Sequence, residues 1–351
     1  MTARSSARVI FVLSVFSVLF VVVAALHAVA VAALLAQTAG IDEHIAAAKS
    51  AARTDHAVLF TSLCSAEPTG PGTGRRGAGA GGGQPAGAPP GPPPGPPAKE
   101  SWHVEPVKVF DNLYFLGMKD YSAWAVTTSD GIIIIDTLFD YSVDDEIAEG
   151  LKKVGLKPET IKYAIVSHGH GDHSGGAKYL QDRFKARVLL SEADWSLLDR
   201  GRGTRPARDP MSGVVTDGQK LTLGDETITM YITPGHTPGT ISYLIPVKDK
   251  GAPHLVAEWG GTAFNFPRSP EAFRIYTASA QRFGDIAAKA GADAIISNHS
   301  DYDGSKTKIP ALQARKAGDP NPYVIGTDGV KRYMKVAEEC SKAWEIRAKN
   351  P

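Results

Sequence analysis

The seven residues Ser167-His168-Gly169-His170-Gly171-Asp172-His173 constrain this chain more than any other feature. They follow the apolar run Tyr163–Val166 and precede the helix pattern Gly176–Phe184, which places them on a loop between a buried strand and a helix. His168 and His170 are two apart, so in extended backbone both imidazoles point to one side. Gly169 and Gly171 let the chain turn tightly, and Asp172 and His173 come round from the next part of the loop. Imidazole and carboxylate are the usual ligands of zinc, iron and manganese. Three histidines and one aspartate in six residues suit two adjacent metals. A loop at the C-terminal end of a strand is also where sites collect in α/β folds.

Two more histidines occupy similar positions. His236 lies in Thr233-Pro234-Gly235-His236-Thr237-Pro238-Gly239, after the strand pattern Thr227–Ile232. His299 follows the strand pattern Ala294–Ser297. Both become ligand candidates by that placement. His27, His44, His56, His103 and His254 lack it and read as surface, membrane-segment or linker-side residues.

The surrounding pattern is α/β. Val107–Val109, Leu113–Leu116, Ala123–Thr128, Ile132–Ile135, Val188–Leu190, Lys220–Leu223 and Ile241–Ile245 read as further strands. The four isoleucines suit a strand covered on both faces. Asp145–Val154, Ser191–Leu198, Pro270–Ala290 and Gly329–Ala348 read as helices, with Ser191 as an N-cap and Asp194 three residues on. Alternating and clustered runs together predict layered packing.

Four regions are expected. Residues 1–39 carry Arg4 and Arg8 and then a nearly uninterrupted apolar run from Val9 to Ala36. The length suits an uncleaved membrane anchor, and the small residues before Gly40 equally suit a cleaved signal peptide. Either reading exports the rest of the chain, to the periplasm or to the outer face of the cytoplasmic membrane. Residues 40–66 form a short helical segment, with Ile41, Ile45, Ala48 and Ala52 on one face. Residues 67–100 are rich in Gly and Pro and predict a disordered linker. Residues 101–351 form the main domain. Lys+Arg at 38 against Asp+Glu at 37 leaves no basic footprint for nucleic acid, so membrane contact is expected only through the N-terminal segment. Two cysteines, Cys64 and Cys340, exclude a cysteine-rich metal module. Export permits a disulfide between them, and two free thiols are the alternative. Oligomeric state is left open.

The pattern His168-Gly169-His170-Gly171-Asp172-His173, with the isolated His236 and His299, resembles the metallo-β-lactamase superfamily. It is most similar to the subclass B-three metallo-β-lactamases, over roughly Val107 to Asp303. Asn112–Gly117, Ser122–Val126, Ile134–Asp136, Ser191–Asp194, Asp217-Gly218 and Pro234–Gly239 support the resemblance. It implies a four-layer αββα sandwich, with His168, His170 and His236 holding one zinc and Asp172, His173 and His299 holding a second. Asp136 resembles the aspartate that steadies the metal loop, and a strand-end turn former is the other reading. The bridging aspartate of the glyoxalase II and lactonase branches has no counterpart, because the region reads Glu258-Trp259-Gly260-Gly261-Thr262-Ala263. Glu258 is not assigned as a ligand. The serines that hold a substrate carboxylate in subclass B-three are replaced by Gly260, Gly261 and Thr262.

The implied chemistry is hydrolysis. A shared water of lowered pKa attacks a carbonyl, Asp172 orients it, and no covalent intermediate is needed. β-Lactam ring opening is one candidate reaction. A lactone, thioester or phosphoester is the alternative, and a tethered metal-binding protein with little activity is the third reading. The segment Asp199–Val215 carries Arg200, Arg202, Arg205 and Arg208 and reads as a loop, with a lid contacting an anionic small-molecule substrate as the functional alternative. Tyr121, Trp124 and Phe264 are candidates for pocket walls or for core.

Overall fold

A computed structural model of the chain describes residues 38–65, 95–201, 205–209 and 213–349. The expected anchor or signal and most of the Gly/Pro-rich segment lie outside these residues. Among the described residues no helix is long and apolar enough to cross a membrane.

Two sheets face each other. The first has seven strands in sequential order: β1 (Val107–Phe110), β2 (Leu113–Phe115), β3 (Trp124–Thr128), β4 (Gly131–Ile135), β5 (Ile161–Ile165), β6 (Arg187–Ser191) and β7 (Val214–Val215). The second has five, ordered β12-β11-β10-β9-β8: β8 (Gln219–Leu223), β9 (Glu226–Ile232), β10 (Ile241–Asp249), β11 (Ala252–Trp259) and β12 (Ala294–Ser297). The helical elements are α1 (residues 38–52), α2 (Ala57–Phe60), α3 (Glu149–Lys153), α4 (Gly171–Ser174), α5 (Ala177–Phe184), α6 (Glu192–Arg200), α7 (Pro270–Ala290), α8 (Ser305–Gln313) and α9 (Gly326–Lys349).

Three apolar layers glue these parts. Val126, Ile133, Ile135 and Ile165 of the first sheet meet Ile228, Tyr243, Val256 and Ile296 of the second. On the outer face of the first sheet, Ile132, Ile134 and Ala164 pack under Ile147, Leu151 and Leu180. On the outer face of the second, Leu244, Ala257 and Trp259 pack under Phe273, Phe283, Tyr333 and Ala337. The four isoleucines of β4 thus alternate between two buried faces, which is why the run carries no polar residue. The result is the αββα sandwich.

Four elements have no sequence expectation: β7, inside the segment read as a loop, α4, inside the histidine loop, and β11 and α8. β11 begins with Ala252, Pro253 and His254 and contains Glu258, so its first half lacks an apolar run. α8 carries Pro310 in its interior. The helical region before the Gly/Pro-rich segment is broken rather than continuous. Residues 53–56 turn with Arg53 at a φ of 48°, and α2 then runs on into 61–65.

This N-terminal strap lies along α9. Ala48, Ala52, Leu59 and Leu63 join the outer layer of the second sheet. Cys64 and Cys340 form a disulfide, both residues buried, which settles the choice between pairing and free thiols. The Trp344 indole donates to the Leu63 carbonyl at 2.8 Å.

His56 corrects the surface reading. It is 4% exposed, bonds the Gly329 carbonyl at 2.9 Å through Nε2, and meets the Tyr333 ring edge-on. Burial pushes its pKa down to about 4, with Lys308 and Arg332 adding and Asp55 opposing. The unfolded chain binds a proton near 6.5, so the folded state resists a proton the unfolded state accepts. Stability therefore falls as pH drops from about 6.5 to 4. The expected result is a steeper acid loss of melting temperature in the wild type than in His56→Gln, followed by thermal denaturation at pH 7 and pH 5. Parallel curves would refute it.

Three other histidines also have partners. His44 meets Glu339 at 2.6 Å, His103 meets Glu146 at 2.5 Å, and His254 meets Asp293 at 2.7 Å. No spacing rule reveals such long-range pairs. His27 lies outside the described residues.

Candidate metal centre

All six candidate ligands gather at one edge of the two sheets. His168 and His170 follow β5, Asp172 and His173 lie in α4, and His236 and His299 follow β9 and β12. Tetrahedral zinc with bonds of about 2.0–2.1 Å holds its nitrogens about 3.4 Å apart. Here His236 Nε2 lies 3.0 Å from His168 Nε2 and 3.1 Å from His170 Nδ1. Beside this set, His173 Nε2 lies 3.2 Å from His299 Nε2 and 3.2 Å from Asp172 Oδ2, and His299 Nε2 lies 3.7 Å from the same oxygen.

Hydrogen bonds on the far side of the rings fix which atoms face inward. His168 Nδ1 donates to the Gly260 carbonyl at 3.0 Å, and His236 Nδ1 donates to the Ala263 carbonyl at 2.8 Å. A ring that donates from Nδ1 presents a lone pair at Nε2. Two such lone pairs 3.0 Å apart repel one another and cannot hydrogen-bond. A cation between them removes the conflict. The donor set therefore fits a metal ion, and its imidazole and carboxylate chemistry suits zinc.

The electrostatics agree. Burial drives the pKa of His168 well down and that of His236 to about 3, which keeps these rings neutral and able to ligate. Burial likewise lowers His299 to about 4. His173 differs. Burial opposes its charge, but Asp172 and Asp136 outweigh that and raise its pKa, so a cation entering this set must displace the Nε2 proton. Burial resists ionisation of Asp172, yet His173 and His299 hold its carboxyl well below the usual range.

Asp136 organises the second set. It follows β4 directly, with a φ of 59°, and is wholly buried. One oxygen accepts from the Ser167 amide at 2.6 Å. The other accepts from the Ser167 hydroxyl at 2.8 Å and from His173 Nδ1 at 2.9 Å. The turn-former reading is thus replaced by a structural tie between β4 and the metal loop.

Asp194 makes a second tie, which sequence reading left as part of a helix cap. Its carboxylate accepts from the Gly169 amide at 3.0 Å, the Thr237 hydroxyl at 2.7 Å and the Gly239 amide at 3.1 Å. It joins the loop of His168 and His170 to the loop of His236. Spacing within the chain gives no sign of it, because the partners are more than twenty residues away on either side.

The stretch 258–263 is filled in an unexpected way. Glu258 is wholly buried opposite Tyr243, belongs to neither ligand cluster, and has no bonded partner on either oxygen. Burial and the carboxylates of Asp136 and Asp303 push its pKa well up. A Cβ on Gly260 would lie 1.7 Å from the Ile241 carbonyl oxygen, and one on Gly261 would lie 2.5 Å from His236 Cβ. No side chain fits at either position, so a bridging carboxylate has no room there. Gly261→Asp is expected to displace His236 rather than add a ligand, so that the variant binds less metal than the wild type. Elemental analysis finding equal metal in the two would contradict this. Thr262 is also turned away. Its hydroxyl meets Ser297 Oγ at 3.2 Å and the Tyr333 hydroxyl at 3.4 Å.

Two of the four arginines of the segment after α6 are committed elsewhere. Arg205 donates to the Asp199 and Gly201 carbonyls and to the Asp199 carboxylate, and Arg208 donates with both arms to Glu192. Arg202 lies outside the described residues. Trp124 and Phe264 are core. Tyr121 is half-buried, with its ring 5.1 Å from that of His299.

Residues 117–249 match the model of the metallo-β-lactamase superfamily. A hydroxyacylglutathione hydrolase of Mesorhizobium japonicum is 33% identical over 109 residues, 31% of this chain and 38% of that protein. A probable metallo-hydrolase of Bacillus subtilis, YybB, is 30% identical over 125 residues, 34% of this chain and 54% of that protein. This chain thus spans about half or less of the length of these curated relatives. Among solved structures, BJP-1, a subclass B3 metallo-β-lactamase of Bradyrhizobium japonicum, is 26% identical with a TM-score of 0.55, over 67% of this chain and 91% of that one. The native metallo-β-lactamase FEZ-1 from Legionella gormanii is 21% identical with a TM-score of 0.59, over 71% and 98%, and shows the fold alone. Over residues 117–249 the chain is thus similar to the metallo-β-lactamase superfamily, and it shares the fold of these solved structures.

Proposed function

We propose that this protein is a two-zinc hydrolase that opens a carbonyl substrate with water, similar to the subclass B-three enzymes. The observation that carries this reading is the pair of inward lone pairs on His168 and His236, 3.0 Å apart and fixed by carbonyls behind them. His168, His170 and His236 would hold one ion, and Asp172, His173 and His299 the other. Zinc bound there would lower the pKa of a water to about 7 and polarise the carbonyl under attack. The protein's own groups do the positioning. Asp136 keeps His173 in the tautomer that points Nε2 inward. Asp172 turns Oδ2 toward His173 and His299, and its other oxygen can accept a hydrogen bond from the attacking water. A carbon–oxygen bond forms, the bond to nitrogen, sulfur or oxygen breaks, and the water's proton ends on the leaving atom.

The fate of Thr262 favours a substrate that needs no serine-held carboxylate. A thioester or lactone meets that description better than a β-lactam. Export is part of the proposal, since the buried Cys64–Cys340 bond suits an oxidising compartment. The test is turnover by the zinc-loaded full chain of nitrocefin, imipenem and a simple thioester, each beside His170→Ala. Turnover that vanishes in the variant and on chelation supports the hydrolase. Turnover that persists in the variant rejects the assignment of this site.

A further inference from the structure

A continuous aromatic wall borders the second ligand set. The Tyr121 ring lies edge-on to Phe139 at 4.9 Å, and Phe139 stacks on Tyr141 at 5.0 Å with 15° between the planes. Tyr121 and Tyr302 flank the His299 ring at 5.1 and 5.6 Å. All four aromatic residues are half-buried, each keeping part of its surface in solvent. The Asp172 carboxylate lies near enough to raise the pKa of Tyr121, Tyr141 and Tyr302, after the larger effect of burial. The wall therefore stands beside His299 and Asp172, which are themselves about one-fifth exposed.

Several cations are engaged in ion pairs or backbone contacts of their own. Lys119 donates to the Glu100 carbonyl, and Lys306 pairs with Asp120 and Asp301. Arg205 and Arg208 are held by Asp199 and Glu192.

We propose that this wall binds a flat aromatic acyl group of the carbonyl substrate, making arylacyl thioesters or esters the preferred substrate class. The inference rests on the hydrolase reading. Ring-on-ring contact is directional, and one good pair is worth up to about tenfold in affinity. Phe139 carries the argument because it bridges Tyr121 and Tyr141, so removing it breaks the wall in the middle.

The experiment compares phenylacetyl and acetyl thioesters of one thiol on the zinc-loaded full chain. The wild type is expected to favour phenylacetyl about tenfold in kcat/KM, through KM. Phe139→Ala should reduce that preference to about twofold or less, and Phe139→Tyr should restore it. Equal KM values in the wild type, or a preference that survives Phe139→Ala, would overturn the proposal. A second measurement separates this from failure of the hydrolase reading: calorimetric titration with phenylacetate and with acetate. Tighter phenylacetate binding lost in Phe139→Ala supports the wall even where neither thioester turns over. Equal binding of the two acids rejects the wall whatever the turnover.

Discussion

Asp136→Asn is expected to lower hydrolytic activity about 10- to 100-fold and to empty the proposed second zinc site first. The wild-type carboxylate accepts three hydrogen bonds and donates none. An asparagine has one acceptor oxygen and an amide that only donates. If the oxygen faces the Ser167 amide, the new amide faces His173 Nδ1. His173 must then carry its proton on Nε2, which points at His299 and Asp172. A protonated Nε2 cannot ligate. If the asparagine turns the other way, its amide meets the Ser167 amide, and two donors collide in a wholly buried space. Either orientation costs about 3 kcal/mol of stability, comparable to breaking a buried ionic network from one side. The check is zinc content with thermal denaturation. One retained zinc, a lowered melting temperature and lost turnover is the expected result. Two retained zincs with wild-type turnover would show that Asp136 is only a turn former.

Reduction of Cys64–Cys340 should lower the melting temperature by about 10 °C, from a loss of about 4 kcal/mol. The bond joins residues 276 apart in sequence, so breaking it frees a very long loop in the unfolded chain. The native strap would still be held by His56 on Gly329, by Trp344 on Leu63, and by Arg332 on Asp55 and the Ala51 carbonyl. Reduction is thus expected to weaken the protein without dismantling the sandwich. The double variant Cys64→Ser and Cys340→Ser should melt as the reduced protein does. Tyr333 connects the strap to the site, because its ring meets His56 and its hydroxyl meets Thr262. Identical melting curves and gel mobilities with and without reductant would rule the bond out.

What the sequence revealed followed from how local each signal is. The His168–His173 cluster was legible because its residues are contiguous and the strand before it is purely apolar. His236 and His299 were legible because each follows a strand pattern in the same way. The two sheets were legible wherever apolar residues ran unbroken, as in β4. β11 was missed because Pro253, His254 and Glu258 interrupt its pattern, although it is paired along its length with β10. α8 was missed because Pro310 disguises it. Contacts between distant segments left no trace in spacing. His56 has its partner 273 residues away, and Asp194 binds two loops that only the fold brings together. Thr262 looked like a hydroxyl available to substrate because its orientation depends on Ser297 and Tyr333, which come from other layers.

The central claim is that six side chains of this chain hold two zinc ions. Equilibrium dialysis of the full-length protein against zinc, followed by elemental analysis of the wild type, His236→Ala and His299→Ala, tests it most directly. The account predicts two ions per chain in the wild type and one in each variant. One ion or none in the wild type, or two ions in both variants, would contradict it.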